Sequence, residues 1–357
     1  MASKKSRKTG KVITKQIVLG WIKIGGRAPV VVQSMTKTDT CDITATVSQI
    51  KRLQSAGCEA IRVAVLNNDA ALAIKAIKKK IKIPLIADIH FDHKLALQSI
   101  ASGVDGLRIN PGNIGSKLKV KEVVAAAKDN KVPIRIGVNA GSLEKDLLRK
   151  YKHPTGKALV ASAGRHIRIL EDLKFNSIKV SLKASDVIKT VDAYRLFSEK
   201  YRYPVHIGIS EAGPAFTGTV KSAVGLGILL SEGIGNTIRV SLTADPVEEV
   251  KVAYEILKSL HLRQRGPELI SCPTCGRCQV DIRGIVNKVE AKLDRLDKPI
   301  KVAVMGCVVN GPGEAREADI GIAGGKGMGI LFKNGKVVKT LKERELFSTL
   351  MREIKKM

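Results

Sequence analysis

Residues 237–260 read TIRVSLTADPVEEVKVAYEILKSL and contain both halves of a repeating unit. TIRVSL is a short β-branched, apolar run. Asp245 followed by Pro246 is an N-cap with a first-turn proline, and it opens the helical pattern PVEEVKVAYEILKSL. Towards the N-terminus the same kind of run recurs as PVHIGIS from Pro204, SIKVSLKA from Ser177, PIRIGVN from Pro133 and GLRINPG from Gly106. It recurs again as PLIADIH from Pro84, AIRVAV from Ala60 and VVVQSM from Val30, with helix-like stretches such as TATVSQIKRLQSAG between the runs. Strand–helix alternation repeated eight times is the pattern of an α/β fold of the (β/α)₈ or TIM-barrel type. A doubly wound sheet is the alternative, but eight units over about 250 residues fit the barrel better. KQIVLGWIKIGG, ahead of the first unit, reads as a short hairpin capping the barrel's bottom.

Composition narrows the classes. The chain has 357 residues, 44% of them hydrophobic, which is enough for an ordinary core and excludes wholesale disorder. No apolar run approaches the roughly 20 residues of a membrane helix, and no signal-peptide core opens the chain, so a cytoplasmic location is expected. Lys and Arg number 62 against 33 Asp and Glu, a formal charge of +29. Such a balance suits nucleic acid, a membrane surface or a small polyanion, yet aromatics at 3% argue against base-stacking platforms. Residues 1–10 read as a solvated basic tail, part of an acid-free arm with Lys4, Lys5, Arg7, Lys8, Lys11 and Lys15. The barrel is expected over 11–266.

The strand ends carry the chemistry. Alternate residues of a strand share a face, which pairs Arg108 with Asn110, Arg135 with Asn139, Asp88 with His90, and Arg239 with Ser241. Lys179, Ser181 and Lys183 line one face, His206 and Ser210 another, and Arg62 interrupts the apolar AIRVAV. Barrel strands are buried on both faces, so repeated cations there require compensation, either by structural ion pairs or by an anionic ligand. Active sites of this fold lie at the C-terminal strand ends. Convergence of Arg62, Arg108, Arg135, Lys183 and Arg239 there favours a ligand with several negative charges, of the phosphate kind. No Walker loop or dinucleotide fingerprint accompanies these residues. AGGKGMG at Ala323 lacks the P-loop spacing and reads as a turn before a hairpin. The histidines have no metal-ligand spacing, and Cys41 and Cys58 read as packed thiols.

Residues 267–357 read as a separate small α+β domain, entered through the linker Arg265-Gly266-Pro267. CPTCGRC at 272–278 and CVVNGPGEA at 307–315 place Cys272, Cys275, Cys278 and Cys307 on loops flanked by glycine and proline. CxxCxxC with a distant fourth Cys suits an iron–sulfur cluster, and it also suits structural zinc or unligated thiols. The helix-like IVNKVEAKLDRL, the strand KVAVMG, the strand ADIGIAG, the hairpin GILFKNGKVV with Asn334-Gly335 at its turn, and the terminal ERELFSTLMREIKKM complete the domain.

CPTCGR from Cys272 and GCVVNGPGEA from Gly306 resemble the two signature loops of the 4-hydroxy-3-methylbut-2-enyl diphosphate synthase family, in its bacterial-type, two-domain form. Similar motifs run through the barrel as VQSMTKTDT, CEAIRVAV, ADIHF, LRINPGNI, IRIGVNAGSL, KVSLKASD, HIGISEAG and IRVSLTADPVEEV, so the resemblance covers nearly the whole chain after the first ten residues.

The resemblance implies a [4Fe–4S] cluster held by Cys272, Cys275, Cys307 and Glu314. It leaves out Cys278, a third thiol that departs from the family pattern. An exchangeable carboxylate ligand lets one iron open to substrate. The resemblance also implies reductive ring opening of 2-C-methyl-D-erythritol 2,4-cyclodiphosphate, with loss of water, to 4-hydroxy-3-methylbut-2-enyl diphosphate on the methylerythritol phosphate route to isoprenoids. Two electrons would come from an acidic flavodoxin or ferredoxin, and the cluster would close over the barrel in a homodimer. By correspondence Arg62, Arg108, Asn110, Arg135, Asn139, Lys183, Arg239 and Ser241 grip the diphosphate and hydroxyls, and Asn310 contacts substrate from the cluster side. Glu211, Asp88 and His206 are the candidates for delivering a proton to the departing hydroxyl. The competing classes are a zinc-stabilised nucleic-acid-binding protein, which the charge would serve, and a plain electron-transfer subunit, which would not need a barrel. Neither nucleic acid nor membrane is expected as a partner.

Overall fold

In a computed structural model, residues 11–110, 112–294, 296–307, 313 and 316–357 are described. The expected basic tail, residues 1–10, lies outside them. The chain divides into two compact units, Met1–Arg263 and Gln264–Met357.

The first unit begins with an antiparallel hairpin, β1 (Gln16–Leu19) and β2 (Ile22–Gly25). Eight parallel strands follow: β3 (Val31–Met35), β4 (Ala60–Ala64), β5 (Leu85–Asp88), β6 (Gly106–Ile109), β7 (Ile134–Asn139), β8 (Ile178–Lys183), β9 (His206–Ile207) and β10 (Thr237–Ile238). Their order is β8-β7-β6-β5-β4-β3-β10-β9, and a bridge between Val180 and Val205 joins β8 to β9, closing a TIM barrel. β9 and β10 hold two ladder residues each, where the sequence pattern predicts six or seven. Val205 contributes only a bridge, its N–H being given to Asn236 Oδ1 at 2.9 Å.

Helices α1 (Ile43–Ser55), α2 (Asn68–Lys78), α3 (His93–Ala101), α4 (Lys117–Asp129), α5 (Lys145–Tyr151), α6 (Gly156–Asp172), α7 (Val187–Lys200), α8 (Ala215–Ser231) and α9 (Pro246–Ser259) complete this unit. Local chemistry sets where most of them start. Asp42, Asn67, Asp92, Ser116, Thr155, Asp186 and Asp245 each accept a first-turn backbone N–H on the side-chain oxygen. A continuous apolar core lies between strands and helices. The hairpin residues Ile17, Leu19, Ile22 and Ile24 pack with Val31, Ala60 and Ile86 at the strand starts, so the hairpin floors the barrel.

The second unit is one sheet in the order β11 (Glu268–Ser271), β12 (Lys301–Met305), β13 (Ile320–Gly324), β14 (Met328–Lys333) and β15 (Lys336–Lys342). α10 (Ile282–Leu293) and α11 (Leu346–Lys356) share its apolar core. α10 starts three residues ahead of the periodic pattern because Asp281 caps it through the Gly284 N–H. Asn334 and Gly335 have φ of 47° and 73°, the two left-handed residues that an Asn-Gly hairpin turn requires. Ala323-Gly324 ends β13 and the following glycines form the turn into β14, as the sequence predicts.

Candidate active site

Side chains from adjacent strands meet at the C-terminal end of the barrel. Asp88, the last residue of β5, lies between Arg62 of β4, with Nε 3.3 Å from its carboxylate, and Arg108 of β6, with Nη1 at 3.0 Å. His90 Nε2 is 3.1 Å from the same Arg108 nitrogen. Arg62 also reaches Met35 Sδ from Nε and Nη2 at 3.2 and 2.9 Å. The arrangement needs Gly137 on β7: a Cβ there would lie 2.9 Å from Arg108 Nη2 and 3.0 Å from Cζ, and closer still to Nε. The sequence shows a glycine between Arg135 and Asn139, but only the barrel shows what stands against it.

The charges do not balance. Arg62, Arg108, Arg135, Lys179 and Lys183 are all buried, and Asp88 is the only carboxylate that pairs with any of them among the described residues. Arg135 Nε and Nη1 and Lys179 Nζ have no hydrogen-bond partner. Burial, reinforced by neighbouring cations, pushes the Arg135, Lys179 and Lys183 pKa values well below their ordinary ranges, and brings that of Arg62 down to about 10. Burial alone would raise the Asp88 pKa, but Arg62, Arg108 and Arg135 outweigh it and hold the carboxyl below its usual range. His206 is fully buried, with Nδ1 2.8 Å from Thr237 Oγ1. Burial and then Arg135 and Lys183 push its pKa well down, so it is neutral.

A cavity of about 490 Å³ opens at the mouth, lined by His90, Arg108, Asn110, Asn139, Lys183, Ser210 and Glu211 among others. The candidate residues therefore fall into groups. Arg108, Asn110, Asn139, Lys183 and Glu211 face the mouth cavity. Arg62, Asp88, Arg135 and His206 form a buried layer behind it, and Arg135 lines a small chamber in the floor. Arg239 turns to Glu249, at 3.7 Å, and half-buried Ser241 lines neither space. Glu211 has a φ of 53°, left-handed backbone that is strained for a non-glycine residue and often found at functional loops.

Glu249 of α9 is a residue the sequence reasoning missed. Its buried carboxylate accepts the Leu242 N–H at 3.0 Å and the Ser34 hydroxyl at 3.4 Å, and it pairs with Lys37 at 3.6 Å as well as with Arg239. The signal was available, because Glu249 lies on the apolar stripe of PVEEVKVAYEILKSL beside Val250 and Ala253.

In the second unit Cys272 directly follows β11, and Gly306-Cys307 directly follows β12, the parallel neighbour of β11. The Gly306 N–H points at Cys272 Sγ, 3.1 Å away, and a Cβ on Gly306 would lie 2.6 Å from Cys278 Sγ and 3.5 Å from Cys272 Sγ. The Arg277 backbone and side chain lower the Cys275 thiol pKa, which favours the ligating thiolate. Cys278 donates its S–H to the Val280 carbonyl at 3.3 Å, as a packed thiol does. Among the described residues no three Cys, His, Asp or Glu side chains stand at metal-binding spacing. The expected ligand Glu314 and the expected contact Asn310 lie outside the described residues. The donor chemistry still fits an iron–sulfur cluster: soft thiols on two adjacent loops, one of them activated and one receiving a backbone N–H. No helix among the described residues is long and apolar enough to cross a membrane.

Comparison with known proteins agrees with this architecture. The family model described as the GcpE TIM-barrel domain matches residues 14–254, and the GcpE protein C-terminal domain matches 268–356. The chain is 64% identical over 343 residues to the 4-hydroxy-3-methylbut-2-en-1-yl diphosphate synthase (flavodoxin) of Thermodesulfovibrio yellowstonii, covering 96% of this chain and 98% of that one. It is 60% identical over 346 residues to the protein of the same name from Geobacter sulfurreducens, covering 97% and 98%. Among solved structures, a dihydropteroate synthase from Stenotrophomonas maltophilia superposes with a TM-score of 0.51 at 12% identity, over 70% of this chain and 98% of that one, which shows the barrel fold alone.

Proposed function

The chain belongs to the GcpE family, and from that premise we propose that it is an iron–sulfur oxidoreductase acting in isoprenoid biosynthesis by the methylerythritol phosphate route. It opens the ring of 2-C-methyl-D-erythritol 2,4-cyclodiphosphate and removes water to give 4-hydroxy-3-methylbut-2-enyl diphosphate. Full-length relatives at 64% and 60% identity bear the name of that synthase. The observation that carries the assignment is the buried excess of cations behind the mouth cavity, which a cyclic diphosphate would neutralise.

In this reading Lys183 and Arg108 bind the phosphoryl oxygens, and Asn110 and Asn139 orient the sugar hydroxyls. Arg62, Arg135 and Arg239 add positive potential from behind, and Ser241, which lines neither space, keeps only the hydroxyl-binding role that the family resemblance implies. Asp88 serves by holding Arg62 and Arg108 in place, since a carboxyl kept ionised by two guanidiniums is a poor proton donor. A neutral, enclosed His206 is poorly placed for the same role. Proton delivery to the departing hydroxyl is therefore assigned to Glu211, the only one of the three candidates that faces the cavity. Cys272, Cys275 and Cys307, with Glu314 as the fourth ligand, would hold a [4Fe–4S] cluster, and Asn310 would contact substrate beside it. When bound, that group supplies single-electron transfer and Lewis acidity. Reduced flavodoxin, which appears in the relatives' names, or ferredoxin delivers the electrons, and a basic surface steers such acidic carriers. Thiolate ligation suits a reducing cytoplasm, and the family resemblance supports a homodimer.

Anaerobic purification with iron, sulfide and zinc analysis, followed by turnover of the cyclodiphosphate with a reduced donor, tests the proposal. About four irons and four sulfides per chain with turnover is the expected result. Stoichiometric zinc without iron after reconstitution would overturn it.

A further inference from the structure

Beneath the mouth the barrel holds a second, separate space, a chamber of about 10 Å³ at the strand starts. That is room for one water or one small ion. Ile17 and Leu19 of the hairpin line its lower side, and Leu107 and Ile134 wall it. Two polar side chains, Arg135 and Lys179, line it. Lys179 is 3% exposed and Arg135 4%, and Lys179 Nζ and Arg135 Nε and Nη1 have no hydrogen-bond partner. Neither side chain has an ion-pair partner among the described residues, and Arg62 and Arg135 are the charged groups acting on Lys179.

The chemistry of the lining selects the occupant. Lys and Arg only donate hydrogen bonds, so whatever fills the chamber must accept from both. A water would accept from both and could donate to a free lone pair such as that of the Pro133 carbonyl, but it brings no charge to set against the two buried cations. A polyatomic oxyanion is too large for the space. A monatomic anion accepts from every side, has nothing to donate, and offsets buried positive charge. We propose that this chamber is an anion site that takes one chloride-sized ion between Lys179 Nζ and the Arg135 guanidinium. An ion there keeps Lys179 protonated against burial and against its cationic neighbours, which otherwise lower its pKa.

The test is made on the full-length holoenzyme. Crystals grown in sodium bromide should show an anomalous peak in the floor within hydrogen-bonding reach of Lys179 Nζ, clear of any bromide in the mouth cavity. In solution, the wild-type Tm should be a few degrees higher in sodium chloride than in sodium gluconate of equal ionic strength. That difference should vanish in Lys179→Met, which removes the ammonium and leaves the mouth residues in place. An ordered water without anomalous signal in the wild-type floor would overturn the proposal, and this arm stands even if the variant does not fold. A peak in the crystal with no chloride dependence of the wild-type Tm would overturn it too, since the ion would then bind only at crystal concentrations. An equal chloride effect in Lys179→Met would place the effect elsewhere and have the same consequence.

Discussion

Replacing Gly137 by alanine tests the mouth geometry with a single methyl group. The added carbon would sit 2.9 Å from Arg108 Nη2 and 3.0 Å from Cζ. Non-bonded contacts settle near 3.5–4.0 Å, so the guanidinium must withdraw by about 1 Å. Arg108 is held at 3.0 Å from Asp88 and lines the mouth cavity, so withdrawal into that space would stretch the pair and displace the guanidinium from its binding position. Asp88 keeps Arg62, so the fold and the iron content should survive. A positioning error of about 1 Å costs roughly a hundredfold in catalysis, or about 2.7 kcal/mol in the barrier. The assay is kcat/KM for the cyclodiphosphate under anaerobic conditions with excess reduced donor, with iron per chain as the control. Arg108→Lys supplies the second arm, because a lysine puts a single unbranched methylene at the Nε position and can turn it aside from the added methyl group. In the Arg108→Lys background, alanine at 137 should cost little more, so the double variant should nearly match Arg108→Lys alone. Wild-type kcat/KM in Gly137→Ala, or an equal loss with either residue at 108, would refute the collision with Arg108 as the cause.

Two further perturbations probe the buried groups. His206 has a folded-state pKa well below the ordinary value of about 6.5, so between those two values the unfolded chain binds the extra proton and stability falls as pH drops. Resistance of the wild type to urea should therefore fall from about pH 7 to pH 5. His206→Gln, which keeps a polar partner for Thr237, should flatten that part of the profile, and an unchanged slope would show that His206 is not the group responsible. Glu249→Gln keeps the shape but removes the charge that gathers Lys37, Arg239 and the Leu242 N–H. It should cost about 2 kcal/mol, a fall of roughly 4–8 °C in Tm. A melting curve identical to wild type would refute a structural role for this carboxylate.

The barrel was legible in the sequence because its signals are local. Each unit carries a β-branched run, and seven of its helices open on a side-chain cap such as Asp245 or Ser116, both readable within a few residues. The cysteine loops and the Asn-Gly turn are equally local, although the cysteine spacing by itself suits zinc as well as an iron–sulfur cluster. Face-sharing arithmetic also picked the right strands for Arg62, Arg108, Arg135 and Lys183. It was silent on which of these side chains face the mouth and which lie behind it, because alternation gives a side and not a depth. Depth depends on where each strand sits around the closed barrel, and that is fixed by pairings such as Arg62 with Ile86 and Arg108 with Arg135 between distant stretches of chain. The same long-range packing brings Glu249 of the last barrel helix to Ser34 of the first barrel strand, and places an arginine against the bare α-carbon of Gly137. From the sequence alone came most of the elements, though not β11 or α5, together with the donor atoms and the sign of the charge. Which cations Asp88 neutralises, and which stay buried without a partner, was decided by tertiary structure, because compensation is a matter of distances between residues far apart in sequence.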